Sequence, residues 1–186
     1  MCQPIKEAAA AGDDAGVPQF MKQWAAMGDK LQELAAEDEA RGRNFSASNK
    51  LERASLYLFT AERMMGHGHP GRTETFAKAR NAFDRSTKLG SLNRERVEIQ
   101  LDTGTMPAIW TKAPGSGKKP AVVFCNGLDS NKELLYWTRL PEELARRGIS
   151  TLCVDQPGSG EALRLQNLPV DPHSESWASK AVDWLE

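Results

Sequence analysis

Hydrophobic residues in the first half of the chain recur at helical spacing. Between residues 18 and 40, apolar side chains three or four positions apart form one helix face: Phe20, Trp24, Met27, Leu31 and Leu34. After a polar break, the same spacing predicts a second helix through Leu51, Ala54, Leu58, Ala61 and Met65. The glycine- and proline-rich segment 66–71 ends it.

A third helix is predicted from Thr73, a good cap, to Leu89. Gly90 follows it, and glycine suits the left-handed conformation after a helix end. Residues 1–90 are therefore predicted to form a helical N-terminal region, with residues 91–186 as a second region.

The pattern changes to that of strands after residue 90. Val97, Ile99 and Leu101 alternate with polar residues, which is typical of a half-exposed strand. A turn at Thr103 and Gly104 leads into a hairpin partner over residues 106–111.

Two continuous apolar runs follow, at residues 120–125 and 149–154, and such runs are typical of parallel strands covered on both faces. One amphipathic helix over residues 132–147, closed by Gly148, is predicted to connect them, and another helix covers 174–186. Strands that alternate with helices indicate an α/β fold with a mostly parallel sheet.

Composition and charge narrow the classes of function. The 24 basic and 25 acidic residues give a net charge of -1, so we expect neither nucleic acid nor membrane as a partner. The first 11 residues lack the apolar block of a signal peptide, and no later segment approaches a membrane-spanning length. We therefore expect a cytoplasmic protein.

Cysteine and histidine give no sign of a metal site. Cys2, Cys125 and Cys153 lack metal-ligand spacing, and we expect buried, reduced thiols. His67 and His69 flank a glycine in a turn, without an acid or a cysteine at ligand spacing.

The turn after the first apolar run is a candidate for chemistry. Asn126, Gly127, Leu128, Asp129 and Ser130 lie between a strand end and a helix start, where main-chain amides are unsatisfied. A glycine allows a sharp fold, and the Leu128 amide would then face the crevice as an oxyanion-hole donor. The alternative is that the turn merely caps the helix through Asp129 or Ser130.

The turn after the second apolar run has the form Asp-x-Pro-Gly-x-Gly-Glu, with Asp155 and Glu161 expected to hydrogen-bond the loop into shape. Ser159 is a loop residue and not a nucleophile, because Pro157 and Glu161 stand where a nucleophile elbow needs glycines.

Residues 115–118 resemble a phosphate-binding loop but do not match the motif. The motif requires glycine at position 112 and serine or threonine at position 119, and both positions are lysines.

The two turns, at this separation, resemble those of the α/β-hydrolase group that contains 2,6-dihydroxypseudooxynicotine hydrolase and fungal hydrolases that shorten polyketide pigments. The resemblance extends over the helical region, the hairpin and residues 181–186. It implies a helical cap followed by the first half of an α/β-hydrolase sheet, a hairpin plus two parallel strands with crossover helices. It also implies that Gly127 and Leu128 form the oxyanion-hole turn.

By this resemblance, a complete member cleaves an ester or a carbon-carbon bond beside a carbonyl, in an aromatic or polyketide-like substrate, without metal or organic cofactor. The serine, acid and histidine of such proteins correspond to positions downstream of Glu186, so we expect this chain alone to be an inactive fragment. The expected partners are a small-molecule ester or ketone, the C-terminal half of the fold and, in a homodimer, a second copy. A non-catalytic helical interaction module is the alternative.

Overall fold

The computed structural model describes residues 2–186, with side chains at all of them except 13 and 14. The chain divides into two compact units, one ending at Leu92 and the other starting at Asn93. Residues 2–92 form four helices: α1 Cys2–Ala10, α2 Asp13–Ala40, α3 Asn44–Arg63 and α4 Arg72–Leu89.

One core cluster of the helical unit is built mainly from small side chains. Alanines alternate with two leucines where α2, α3 and α4 pack, so the helix backbones approach closely: Leu31, Ala35, Ala47, Leu51, Ala54 and Ala82. Helix α1 was not predicted, and none of its residues is buried. Helix α3 begins at Asn44, inside the predicted polar break.

The predicted end of α4 at Leu89 is correct, but the predicted caps at Thr73 and Gly90 are wrong. Gly71 and not Thr73 precedes the helix, and no side chain caps it. At the other end Gly90 has φ −83°, while Ser91 adopts the left-handed conformation with φ 48°. The Leu92 N–H donates to the Thr87 carbonyl at 2.9 Å, which completes a Schellman motif with Ser91 as its left-handed residue.

Packing explains the glycine at position 90. A Cβ atom there would lie 2.5 Å from Ser48 Oγ of α3, which is too close for a real contact. Gly90 therefore allows the end of α4 to approach α3.

We predict that Gly90→Ala lowers the free energy of unfolding, although its φ suits alanine, because the new methyl group overlaps Ser48. The loss should shrink in a Ser48→Ala background, with a coupling energy of about 1 kcal/mol or more. Urea denaturation of the four variants measures this coupling. An equal cost of Gly90→Ala in both backgrounds would refute the packing explanation.

The second unit is built on a four-stranded sheet in the order β1-β2-β4-β3, with β1 Glu95–Leu101, β2 Gly104–Thr111, β3 Ala121–Phe124 and β4 Ser150–Val154. The hairpin β1–β2 is antiparallel, and the turn lies at Asp102 and Thr103, one residue earlier than predicted. The prediction that the two apolar runs lie side by side in parallel is confirmed, with Val122 opposite Thr151.

Helices cover both faces of the sheet. The short helix α7 Gly160–Arg164 follows β4. Helix α8 Ser174–Leu185 packs on one face of the sheet through Trp177 and Ala181, against Ile99, Met106, Ala108, Leu152 and Val154. The other face is covered by the connection between β3 and β4, where Tyr136 is buried and its hydroxyl lies 2.7 Å from Thr111 Oγ1.

The single helix predicted over residues 132–147 was wrong. The structure has α5 Lys132–Leu135, a 3-10 turn Tyr136–Thr138 and α6 Leu140–Arg146. Arg139 between them has φ 58°. Pro141 explains the break, because proline has no N–H for a helix interior but fits the first turn of α6.

Within residues 2–186, β3 pairs only with β4, so its other edge is open. Val122 on this strand is 37% exposed. The expected cover on both faces of β3 is therefore incomplete in this chain. No helix of the described residues has the length and apolar character needed to cross a bilayer.

Candidate active site

Two turns leave the sheet together at the carboxyl ends of β3 and β4. Because these strands are parallel neighbours, the segments after Phe124 and after Val154 start at the same edge. Asn126 Nδ2 donates to the Val154 carbonyl and to Asp155 Oδ1, both at 2.8 Å. The structure thus brings the two sequence motifs into one site.

The first turn, residues 126–131, carries the predicted oxyanion-hole residues at its tip. Leu128 is 70% exposed, and the hydrogen bonds of the described residues include none from its N–H. The Ser130 N–H donates to the Gly127 carbonyl at 3.0 Å and closes the turn. Helix α5 is capped by Asn131, whose Oδ1 accepts from the Leu134 N–H at 3.0 Å, and not by Asp129 or Ser130.

Gly127 is not in the left-handed region, and a Cβ atom there would meet no atom within 4 Å. Within the described residues, the fold of this turn therefore does not demand glycine. The space beside residue 127 is open.

The second turn, residues 155–161, uses its glycines differently. Gly158 has φ 85°, and a Cβ atom there would lie 2.0 Å from Val170 Cγ2. Gly160 has φ 44°, and a Cβ atom would lie 2.1 Å from Asp155 Cγ. Both glycines are required, because the chain passes too close to Val170 at Gly158 and to the Asp155 carboxylate at Gly160 for a side chain to fit.

Asp155 is fully buried and accepts four hydrogen bonds. Its Oδ1 accepts from Asn126 Nδ2 and, at 2.7 Å, from the Lys132 N–H. Its Oδ2 accepts from Lys132 Nζ at 2.9 Å and from the Glu161 N–H at 2.8 Å. The prediction that Asp155 and Glu161 shape this loop agrees with these contacts.

Lys132 lies at the centre of an ion cluster. Its buried ammonium contacts Asp155 Oδ2, Glu161 Oε2 at 2.7 Å and Glu133 Oε1 at 3.1 Å. Arg96 of β1 adds a second cation, with contacts to Glu133 at 2.6 Å and to Glu161 at 2.9 Å. The cluster ties β1, α5 and both turns together.

The cluster favours the charged forms of Lys132 and Glu133, whereas burial raises the pKa of Asp155. Burial disfavours the ammonium, but the carboxylates of Asp155 and Glu133 outweigh burial and raise the pKa of Lys132 above its ordinary value. Burial also opposes ionisation of Glu133, yet Lys132 and Arg96 lower the pKa of that carboxyl. Among the described residues, no group of three or more His, Cys, Asp or Glu side chains could hold a metal ion.

A second contact joins the turns through a side-chain amide. The Asn126 N–H donates to Gln156 Oε1 at 3.1 Å, and Gln156 Nε2 donates back to the Asn126 carbonyl at 2.5 Å. Asn126 Oδ1 is buried and has no hydrogen-bond partner in the described structure.

The remaining candidate residues lie outside this constellation. Ser159 is a buried loop residue whose Oγ donates to the Gln156 carbonyl at 3.0 Å. His67, His69 and His173 are exposed, as is the 115–118 loop.

The cysteine prediction was partly wrong. All three thiols are free, but Cys2 and Cys125 are exposed, since α1 is solvated and Cys125 follows the open-edged strand β3. Cys153 is buried as predicted, and burial raises its pKa to about 12, which makes it a poor nucleophile.

The sequence analysis assigned no role to Arg96, Lys132, Glu133 or Gln156. A usable signal existed, because Lys132 and Glu133 stand in the first turn of a helix beside a buried strand. Charged neighbours at such a position need buried partners, and the acids at 155 and 161 supply them.

A mixed sheet with parallel strands ending in such turns, covered by helices on both faces, defines an α/β-hydrolase-type core. Comparison with known proteins identifies the family within this class. The chain belongs to the FrsA-like esterase family, whose model matches residues 15–171.

Named relatives are hydrolases. The 2,6-dihydropseudooxynicotine hydrolase of Paenarthrobacter nicotinovorans is 29% identical over 168 residues, covering 87% of this chain and 42% of the relative. The hydrolase LUC6 of Fusarium sp is 34% identical over 168 residues, covering 86% of this chain and 40% of the relative. The α/β hydrolase gkaG of Penicillium citrinum is 27% identical, covering 87% of this chain and 39% of the relative.

A solved structure of 2,6-dihydroxy-pseudo-oxynicotine hydrolase matches with a TM-score of 0.74 and 25% identity, over 89% of this chain and 45% of that one. The chain thus spans about 40% of the length of the curated relatives it matches, such as the 39% of gkaG. The resemblance to α/β-hydrolases and the expected fold class are confirmed.

We predict that Lys132→Met lowers the free energy of unfolding by about 3–5 kcal/mol, because it leaves three buried carboxylates without their ammonium. The matched control is Arg147→Met, which removes an exposed cation paired with Glu143 in the same unit and should cost at most about 1 kcal/mol. Urea denaturation followed by tryptophan fluorescence compares them. Equal, small losses would mean that the ion cluster does not stabilise the sheet unit.

Proposed function

We propose that this chain is the N-terminal part of a serine-type α/β-hydrolase that cleaves an ester, or a carbon-carbon bond next to a carbonyl. It supplies the oxyanion-hole turn, and its helical unit corresponds to the cap region. The observation that carries the proposal is the Leu128 N–H, which has no hydrogen-bond partner among the described residues and lies at the exposed tip of a turn anchored to both parallel strands.

In this proposal the Leu128 N–H donates to the oxygen of the substrate carbonyl as the nucleophile attacks and negative charge develops on that oxygen. Such a donor accelerates the reaction because it is already oriented where the charge forms. The open space beside Gly127 leaves room for the substrate to approach the main chain.

The nucleophile comes from the C-terminal half of the fold. No serine of this chain has glycine at both the second position before it and the second position after it. The open edge of β3 fits a further parallel strand, which in the proposed fold leads to the nucleophile turn. The chain alone is then an inactive fragment.

The proposed substrate is a small aromatic or polyketide-like ester or ketone, by analogy with the Paenarthrobacter relative that is named a 2,6-dihydropseudooxynicotine hydrolase. The proposed setting is the cytoplasm, where the free thiols would stay reduced.

A fluorophosphonate probe applied to the full-length gene product should label one serine, in a Gly-x-Ser-x-Gly turn downstream of residue 186. The physical reason is that only an activated serine attacks phosphorus readily. Peptide mapping by mass spectrometry locates the label, with heat-denatured protein as the control. A lack of labelling, or labelling at Ser159, would favour the non-catalytic module or another mechanism.

In the same full-length protein, Leu128→Pro should lower kcat for p-nitrophenyl acetate by about 10²–10³-fold, because proline removes the amide hydrogen. Leu128→Ala is the matched control, since it changes the side chain but keeps the N–H, and its kcat should stay within about threefold of the parent. A folded Leu128→Pro variant with parental kcat would rule out the oxyanion role.

A further inference from the structure

We propose that Gln156 and Asp155 are positioning residues for the oxyanion-hole turn, because together they fix Asn126 and both ends of the segment that carries the Leu128 amide. This inference rests on the oxyanion role proposed above. It assigns a function to two residues of the second turn that do not themselves reach the reacting atoms.

Gln156 extends the sheet by means of a side chain. The last main-chain pair of the parallel ladder is Phe124 opposite Cys153. Beyond it, the Gln156 amide gives Asn126 one acceptor, Oε1, and one donor, Nε2, as a neighbouring strand would. The main chain of Asn126 is therefore held in line with β3 after the strand has ended.

Asp155 fixes the two ends of the turn at one atom. Its Oδ1 accepts from the Asn126 side chain before the turn and from the Lys132 N–H after it. Between these points, the described structure has the Ser130 to Gly127 hydrogen bond and the Asn131 cap. With both ends set, the direction of the Leu128 N–H at the tip is set as well.

Position 156 requires an amide because its side chain must both donate and accept a hydrogen bond. Asn126 presents a donor and an acceptor, and a neutral amide matches both, whereas an ionised carboxylate would face the Asn126 carbonyl with a second acceptor. Protonation of that carboxylate restores an O–H donor. Gln156→Glu should therefore weaken the clamp at neutral pH and restore it at acidic pH.

The test measures kcat and KM for p-nitrophenyl acetate with the full-length protein, between about pH 5 and about pH 8. Gln156→Glu should lower kcat at the alkaline end on the order of tenfold to a hundredfold, with KM little changed. The deficit relative to the parent at each pH should narrow as the pH falls. The ratio of the variant's kcat to that of the parent is compared at each pH, because titration of the expected catalytic histidine changes kcat equally in both proteins.

Gln166→Glu is the matched control, because it adds the same charge at an exposed position of the same unit; its ratio to the parent should stay constant with pH. Should Gln156→Glu fail to fold, Gln156→Leu removes both hydrogen bonds without a charge. Its kcat deficit should then be independent of pH.

The outcomes separate this inference from the proposed function. If Leu128→Pro lowers kcat while Gln156→Glu, or Gln156→Leu where the first variant does not fold, has the kcat of the parent, the positioning role is overturned and the oxyanion role stands. If Leu128→Pro has no effect, the oxyanion role itself is wrong. A Gln156→Glu deficit that does not vary with pH would indicate a general structural effect and would also overturn the clamp.

Discussion

The sheet unit depends on one buried carboxylate, that of Asp155. Removing an ionised carboxylate from water is unfavourable by several kcal/mol and raises the pKa of Asp155, and three N–H donors together with the Lys132 ammonium oppose that cost. Because these donors belong to the first turn, to α5 and to the start of α7 Gly160–Arg164, satisfying the charge also fixes three chain segments. The geometry of the proposed site is a consequence of this electrostatic requirement.

The two turns use glycine for opposite reasons. Around Gly158 and Gly160 there is no room for a side chain, because the loop must close on Val170 and on Asp155. A Cβ atom at Gly127 would meet no atom of the described residues within 4 Å. The second turn is thus closely packed, whereas the first presents its main chain outward, which suits the oxyanion role proposed for the first turn.

Sequence patterns predicted the elements whose apolar residues are periodic or continuous along the chain. The helical region, the hairpin and the parallel pair β3–β4 were found because apolar spacing reports which faces are covered. The break at Arg139 was missed because the apolar spacing continues across it, and only Pro141 marks it. The conformation of Ser91 was missed because packing against Ser48, and not backbone preference, places glycine at position 90. The ion cluster was missed because Arg96 and Glu161 meet only in three dimensions.

The spread of this cluster along the chain constrains how the unit folds. Arg96 and Glu161 are separated by 65 positions, and Lys132 lies between them. Until the segment around Glu161 has been synthesised, burial of the Lys132 ammonium and of its carboxylate partners is unfavourable, because the set of opposite charges is incomplete. Contacts so distant in sequence favour slow, cooperative acquisition of structure, with the hairpin and helices forming early and the loop-closing ion pairs late.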